Sequence, residues 1–175
     1  MPGLTLAHQP FASRSWITAT PEQTQSLGQV LGGLARIGEV FALYGDLGTG
    51  KTCLTQGLAR GLGVAATVPS PTFVLIREYV GRVTLWHIDP YRLSSLQEAE
   101  DSGLTDYLPG DGVTVVEWAE KIEALLPQER WEVRLAFAAA GRRIEVRPPP
   151  DRWPELEARL PPPGPFGFFD RPGDK

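Results

Sequence analysis

Apolar residues recur with a helical period in the first quarter of the chain. They occupy every third or fourth position and predict a helix over residues 20–38 with one apolar face. The apolar positions of that face are Leu27, Val30, Leu31 and Leu34. Thr20 can cap this helix with Pro21 at its first position, and Gln23 completes a possible capping box. Gly38 can end it.

Two short apolar runs predict strands, and the first, which is wholly apolar, predicts a buried central strand. Residues 40–44 form the first run, which leads directly into a glycine-rich turn. A helical pattern follows over residues 51–62 and stops at Gly63. The second apolar run covers residues 113–116 and ends at Glu117.

Alternating residues elsewhere predict two antiparallel hairpins. Residues 73–80 and 82–88 are rich in β-formers and meet near Gly81-Arg82, which suits a two-residue turn. Residues 131–137 and 144–146 alternate apolar with charged positions and form the later hairpin. This order of a strand, a glycine turn, a helix and further strands is typical of an α/β fold. The hairpins within it predict a mixed sheet.

Two shorter helices and two terminal segments complete the predicted organisation. A capping signature opens a short acidic helix near residues 94–103, and residues 120–126 are predicted to be helical. The first 15 residues resemble a flexible leader, and residues 16–147 form the predicted domain. Residues 148–175 form a proline-rich tail that holds nine of the 17 prolines. A helical turn or two is expected over residues 151–160, and flexible chain elsewhere in the tail.

Composition narrows the classes of protein that this chain can belong to. The net charge of −4 argues against a general nucleic-acid binder, whose footprint is usually basic, although a local basic patch stays open. The single cysteine, Cys53, cannot form an internal disulfide, which favours a reducing, cytoplasmic compartment. We see no signal peptide at the N-terminus, and no apolar run reaches the roughly 18 residues of a membrane span.

The glycine turn carries the clearest chemistry. Residues 45–52, GDLGTGKT, match G-x-x-x-x-G-K-[ST] between a buried strand and a helix, and we call them the phosphate loop. Glycines let backbone N–H groups turn inward around a phosphate, and the helix N-terminus adds unpaired donors. Lys51 can reach the β- and γ-phosphates, and the Thr52 hydroxyl can bind Mg²⁺. These features predict a P-loop NTPase-like, three-layer α/β domain.

A phosphate loop of this kind normally works with an acid at the end of a neighbouring strand. Asp89 and Glu117 both follow predicted strands. The run before Glu117 is more uniformly apolar, so we assign Glu117 to the metal and Asp89 to orienting or activating water. Either could instead be a solvated carboxylate. The loop at residues 70–73 could sense a γ-phosphate, or be an ordinary turn set by Pro71.

The rest of the sequence discriminates among nucleotide-binding proteins. The chain has no Asn, so the Asn-Lys-x-Asp segment with which GTPases read guanine is absent in its usual form. A hairpin follows the phosphate-loop helix where a small-molecule kinase needs an arginine-rich lid. An ATPase acting within a larger assembly remains. The small-molecule kinase, and an adaptor whose hydrolysis is incidental, stay as alternatives.

Four motifs then resemble one family. YGDLGTGKT, SPTF, HIDPYRL and VEW occur in this order, and the resemblance is to the bacterial TsaE (YjeE) family. It extends over about residues 20–147 and includes GLTDYL and the turn at Gly141-Arg142. That family supplies the ATPase of tRNA threonylcarbamoyladenosine synthesis. It hydrolyses ATP slowly alone and acts with TsaB and TsaD, which modify adenosine 37 of tRNAs reading codons that begin with A.

The resemblance implies roles for individual residues. ATP and Mg²⁺ are the expected cofactors, with Thr52 and Glu117 as metal ligands. Lys51, Asp89 and Glu117 are the expected catalytic residues. The expected nucleotide-binding residues are Thr20, Leu47, Gly48, Thr49, Gly50, Lys51, Thr52, Thr72, Trp118 and Arg142. The residues His87, Tyr91 and Arg92 match the family pattern too, with packing or a salt bridge as the alternative role. TsaD- and TsaB-like proteins are the expected partners, through which tRNA is met indirectly.

Overall fold

A computed structural model describes residues 13–69 and 74–166, which form one eight-stranded sheet with helices on both faces. The strands are β1 Arg14–Thr18, β2 Val40–Tyr44, β3 Ile76–Tyr79, β4 Leu85–Ile88, β5 Val113–Glu117, β6 Trp131–Ala138, β7 Gly141–Arg147 and β8 Gly164–Pro165. The α-helices are α1 Pro21–Leu34, α2 Lys51–Gly61, α3 Leu96–Asp101 and α4 Trp153–Arg159. Short 3₁₀ helices cover Leu104–Tyr107, Ala119–Leu125 and Pro150–Arg152. No helix in these ranges is both long and apolar enough to span a membrane.

The strand order is β3-β4-β5-β2-β6-β7-β1-β8. Strand β2, which leads into the phosphate loop, lies between β5 and β6 and runs parallel to both, and β4 runs parallel to β5. The predicted neighbour of the phosphate-loop strand is therefore confirmed. Antiparallel pairs β3–β4 and β6–β7 confirm the mixed sheet and the two predicted hairpins. Because β2, β4 and β5 are parallel, their carboxyl ends meet at one edge of the sheet.

Two apolar cores lie on opposite faces of the sheet, as the three-layer prediction requires. Phe41 and Leu43 of β2 pack into the core that α1 and α2 cover. Val40 and Ala42 alternate with them and join the core beneath α3 and the 3₁₀ helix Ala119–Leu125. The central strand is thus buried on both sides, which explains why its residues are apolar without alternation.

Glycines let the two helices beside the phosphate loop approach each other closely. A Cβ at Gly28 of α1 would lie 2.3 Å from the backbone oxygen of Leu54, and one at Gly57 of α2 would lie 2.1 Å from that of Gln25. Such contacts are too short for any side chain. Helix α1 begins as predicted, because the Thr20 hydroxyl accepts a hydrogen bond from the Gln23 backbone N–H at 3.3 Å.

Three local predictions were wrong in their bounds. Helix α1 ends at Leu34 rather than near Gly38, because the next residue, Ala35, has extended backbone angles. The β3–β4 connection spans residues 80–84 rather than two residues. It is longer because the backbone N–H of Arg82 donates to the Leu62 carbonyl at 2.8 Å, which ties the turn to the end of α2. The helix predicted over residues 120–126 is present one residue earlier, as the 3₁₀ helix Ala119–Leu125.

The ends of the described chain are more ordered than the sequence predicted. Strand β1 begins at Arg14, inside the predicted leader. The helical turn or two predicted over residues 151–160 is confirmed as α4, and Leu156 and Phe166 of the predicted tail are buried in the main core. The Arg152 side chain is buried too, and its guanidinium bonds to the Glu39 carboxylate at 2.8 Å. Prolines interrupt the apolar spacing there and conceal this packing from a periodicity analysis. Phe168 and Phe169 lie outside the described residues.

Candidate phosphate-binding site

The phosphate loop connects β2 to α2 and needs glycine at two positions. Gly45 has φ +144°, and a Cβ there would lie 2.3 Å from the Leu135 carbonyl oxygen. Gly50 precedes the helix with φ +105°, a left-handed conformation that side chains disfavour. No side chain caps α2, so the N–H groups of its first turn are available to a ligand. An anion is the ligand that such a helix start favours.

Lys51 is the first residue of α2, and its side chain folds back over the loop. Its ammonium donates to the Gly45 carbonyl at 2.5 Å and to the Asp46 carbonyl at 3.0 Å. The same nitrogen lies 3.6 Å from the centre of the Trp118 ring, a cation–π contact. Burial lowers the pKa of Lys51, and the negative charge of Glu117 opposes that shift. The lysine is thus held charged inside the loop by carbonyl dipoles and an aromatic face.

Glu117 ends β5 and is 2% exposed, within hydrogen-bonding distance of three side chains. Its Oε2 accepts from the Thr52 hydroxyl at 2.9 Å. Its Oε1 lies 2.8 Å from Nε2 of His87 and 3.3 Å from the Thr55 hydroxyl, whose single proton is shared with the Lys51 carbonyl at 3.0 Å. Thr52 and Thr55 are three residues apart on α2 and therefore face the same strand end. The carboxylate is consequently fixed between α2 and β4.

Asp89 follows β4 at the same edge of the sheet and is only partly buried. Its Oδ1 accepts a hydrogen bond from the Tyr91 backbone N–H at 2.9 Å, across the turn made by Pro90. Burial raises the pKa of Asp89, while the Tyr91 hydrogen bond acts in the opposite direction. Asp89 lines the same open cleft as Lys51 and Glu117. The complete lining is Leu47, Gly48, Gly50, Lys51, Thr52, Cys53, Asp89, Tyr91, Glu117 and Trp118.

Two aromatic rings form one wall of this cleft. Trp118 has φ +54°, a left-handed conformation that costs energy for a bulky residue, and its ring lies 4.7 Å from that of Tyr91. The strained backbone turns the indole towards Lys51 immediately after Glu117. The tyrosine ring is about half exposed, so it lies at the mouth of the cleft. The strained residue therefore carries the ring that covers Lys51, and backbone strain of this kind is typical of functional positions.

The remaining candidate residues are distributed around the loop. Arg142, in β7, donates from Nη2 to the Gly48 carbonyl at 3.2 Å, so the later hairpin touches the loop. Thr49 stabilises the loop internally, with its hydroxyl donating to the Asp46 carbonyl at 2.8 Å. Thr20 caps α1 and is not among the residues that line the cleft. Thr72 lies outside the described residues.

Thr55 and His87 contact Glu117, yet the sequence did not single out Thr55, and it named His87 only as matching the family pattern, with packing as the alternative. A spacing signal was available for each of them. His87 precedes Asp89 by two positions and so lies on the same face of its strand. Thr55 follows Thr52 by three positions on a helix. Both signals become specific only after Glu117 is known to lie between that strand and that helix.

The donor set at the cleft suits a hard divalent ion. In residues 13–69 and 74–166, no three His, Cys, Asp or Glu side chains gather into a metal-binding group. One hydroxyl and one carboxylate, from Thr52 and Glu117, meet instead at 2.9 Å. Mg²⁺ is commonly held in this way, by one or two protein oxygens together with substrate phosphates and water. The residues present therefore fit that ion.

Comparison with known proteins agrees with this geometry. The sequence model of the family described as "Threonylcarbamoyl adenosine biosynthesis protein TsaE" matches residues 18–144. The Bacillus subtilis tRNA threonylcarbamoyladenosine biosynthesis protein TsaE is 43% identical over 142 residues, covering 75% of this chain and 89% of the relative. The protein of that name from Treponema pallidum is 41% identical over 127 residues, covering 73% and 94%.

A solved structure gives the same result in three dimensions. The crystal structure of Bacillus subtilis YdiB superposes with a TM-score of 0.71 and is 36% identical, covering 85% of this chain and 93% of that one. The family match includes the phosphate loop, Asp89 and Glu117, which are the residues that meet at the cleft. The chain belongs to the TsaE family.

Proposed function

We propose that this chain is a Mg²⁺-dependent ATPase in the formation of the threonylcarbamoyl group on adenosine 37 of tRNAs that read codons beginning with A. It would act in the cytoplasm with TsaB- and TsaD-like proteins, which would hold the tRNA. The names of its relatives support the pathway. One observation supports the chemistry above all: the Thr52 hydroxyl meets the buried Glu117 carboxylate at 2.9 Å beside a phosphate loop.

The phosphate loop would bind the β- and γ-phosphates of ATP through its backbone N–H groups. Residues 47–52 would supply these donors, and the start of α2 would add its partial positive charge. The ammonium of Lys51 would exchange the carbonyls of Gly45 and Asp46 for phosphate oxygens. Burial lowers the pKa of Lys51 in the free chain. A negatively charged phosphate beside the ammonium would therefore stabilise its charged form.

Thr52 and Glu117 would hold Mg²⁺ with one oxygen each. When bound, the ion would neutralise charge that builds up on the phosphate oxygens. The protein would supply a preset carboxylate, because Thr55 and His87 already fix its inner oxygen. Little reorganisation would then be needed when nucleotide enters, which is how a preorganised site lowers a barrier.

Asp89 would hold the attacking water. Its Oδ1 is engaged by the Tyr91 backbone N–H, so the second oxygen is left to accept a hydrogen bond from water. A carboxyl group with a raised pKa is also a better proton acceptor than an exposed aspartate. Trp118 and Tyr91 would exclude bulk water on one side of the cleft. Thr72, Thr20 and Arg142 are proposed to contact the nucleotide on the strength of the family resemblance.

Phosphate release is the measurement that tests this proposal. Purified chain is incubated with ATP and Mg²⁺, alone and with TsaB- and TsaD-like partners, and compared with the Lys51→Ala variant. We expect slow release alone, faster release with partners, and none with the variant. Normal release by Lys51→Ala, or transfer of the phosphate to a small molecule, would contradict the proposal. Reconstituted tRNA modification with a non-hydrolysable ATP analogue separates an ATPase from an adaptor, since an adaptor would still support it.

A further inference from the structure

We propose that His87 is a positioning residue for Mg²⁺: it fixes the inner oxygen of Glu117 so that the outer oxygen stays beside Thr52. The inference rests on the proposed function, because it concerns the metal that the ATPase would use. It assigns a role at the cleft to a residue that contacts Glu117. His87 would touch neither the nucleotide nor the ion, and would act through Glu117 alone.

The contact has the geometry of a directed hydrogen bond. The imidazole is 0% exposed and its Nε2 lies 2.8 Å from Oε1 of Glu117. A carboxylate oxygen accepts hydrogen bonds, so Nε2 must carry the proton. In the described part of the chain Nδ1 has no hydrogen-bond partner. A protonated Nδ1 would leave a buried N–H unsatisfied, which is costly.

The two oxygens of Glu117 are therefore not equivalent. Oε1 faces inward and receives Nε2 of His87 at 2.8 Å, its shortest contact, while the Thr55 hydroxyl at 3.3 Å also lies 3.0 Å from the Lys51 carbonyl. Oε2 faces the phosphate loop and receives the hydroxyl of Thr52. Rotation of the carboxylate about its last bond would break the His87 contact on Oε1 and the Thr52 contact on Oε2 together. These two contacts therefore favour the orientation in which Oε2 faces the cleft.

The sheet explains why a histidine suits this task. In the parallel pair β4–β5, His87 lies opposite Val115, one pleat repeat before Glu117 and on the same face. A ring nitrogen reaches from that position to the strand end. Partners of this kind, behind a metal ligand, typically change metal affinity about 10–100-fold when removed.

Two uncharged substitutions separate positioning from packing. His87→Gln can place an amide N–H near the original Nε2, whereas His87→Asn carries the same group on a shorter chain that cannot reach Glu117. Mg²⁺ is titrated into each variant with a non-hydrolysable ATP analogue, and binding is followed by calorimetry. We expect His87→Asn to need about tenfold more Mg²⁺ for half-saturation and His87→Gln to restore most of this loss. Affinity for the analogue without Mg²⁺ should stay unchanged in both.

A second measurement uses the unmodified chain and needs no variant to fold. The sequence has two histidines, so ¹⁵N NMR of labelled imidazoles resolves His87 from His8 readily. We expect the proton on Nε2, with a chemical shift that moves when Mg²⁺ and analogue are added together. A proton on Nδ1, or variants that bind Mg²⁺ as the unmodified chain does, would overturn the role of His87 alone. If the unmodified chain bound the analogue with the same affinity with and without Mg²⁺, the proposed function would be overturned as well.

Discussion

Two parallel neighbours in the sheet, β4 and β5, each end in an acid at the same cleft, yet the two strand ends differ in construction. Glu117, after β5, is almost fully buried among side-chain donors from α2 and β4. Asp89, after β4, is partly exposed, and a backbone N–H holds one of its oxygens. The first carboxylate is fixed before any ligand arrives, and the second keeps an oxygen free. This difference suits a metal ligand and a water-binding group respectively.

The energetic cost also differs between the two ends. Burial raises the pKa of Asp89, so ionising this carboxyl group costs folding free energy that its single backbone partner only partly offsets. Perturbed acids of this kind are typical of functional sites. Glu117 instead obtains compensation from three side chains for its deeper burial. Substitutions at the two ends should therefore have opposite consequences for stability, although both should slow hydrolysis.

The largest effect is expected from Glu117→Ala, at the fixed end. Loss of the carboxylate leaves Thr52 and His87 without their acceptor, whereas Thr55 keeps the Lys51 carbonyl, so the free energy of unfolding should fall by about 1–3 kcal/mol. Mg²⁺-dependent hydrolysis should drop by about 10³-fold or more. Denaturant unfolding and phosphate release measure the two effects. Unchanged unfolding would show that the network around Glu117 contributes nothing to the fold.

Asp89→Asn, at the open end, should separate activity from stability. The amide keeps the shape and the contact with Tyr91 but accepts a proton poorly, so hydrolysis should fall by about 10²-fold. Removing a carboxylate that burial disfavours should at the same time raise the thermal unfolding temperature. Nucleotide affinity, measured with a fluorescent ATP analogue, should change little. A variant that is less stable than the unmodified chain would contradict the contrast drawn between the two strand ends.

Local signals in the sequence predicted much of this architecture. The apolar runs at β2 and β5, the cap at Thr20 and the glycine pattern of the phosphate loop each depend on residues close together in the chain. The uniform apolarity of β5 also placed Glu117 next to the phosphate-loop strand, which the strand order confirms. Family resemblance supplied the nucleotide and the partners. Both sources predicted Asp89 and Glu117 as candidates, and the structure brings the two residues to one cleft.

What the sequence did not reveal depends on contacts between distant segments. Thr55 and His87 meet at Glu117 only because α2 and β4 pack against the end of β5. Strand β8 was missed for the same reason. It pairs with β1, which lies nearly 150 residues earlier in the chain, and the two residue pairs are too few to form a sequence pattern. The left-handed backbone of Trp118 has no signature in residue type, since glycine is the expected residue there.

The aromatic rings allow a smaller test of how the two ends communicate. Tyr91 belongs to the β4 end and Trp118 to the β5 end, and their centroids are 4.7 Å apart. A double-mutant cycle with Tyr91→Ala and Trp118→Ala should give a coupling of about 0.5–1.5 kcal/mol in the free energy of unfolding. The Tyr107→Ala variant with Trp118→Ala provides the control, since the ring of Tyr107 packs on Trp86. A coupling near zero for the first pair would show that the strand ends act independently.

The smallest expected effect is the pH dependence of stability at Asp89. Since burial raises the folded-state pKa of its carboxyl group above the ordinary value of 3.8, the protonated form is favoured by folding. That contribution is complete below the unfolded pKa and is lost as the pH rises through the higher folded value. The stability advantage of Asp89→Asn over the unmodified chain should therefore grow with pH across this window and level off above it. Denaturant unfolding of both proteins at closely spaced pH values measures the difference, in which the titration of all other groups largely cancels. An advantage that shrinks as the pH rises would mean that Asp89 is stabilised as a carboxylate, as a metal ligand like Glu117 would be, and the distinction between the two strand ends would be lost.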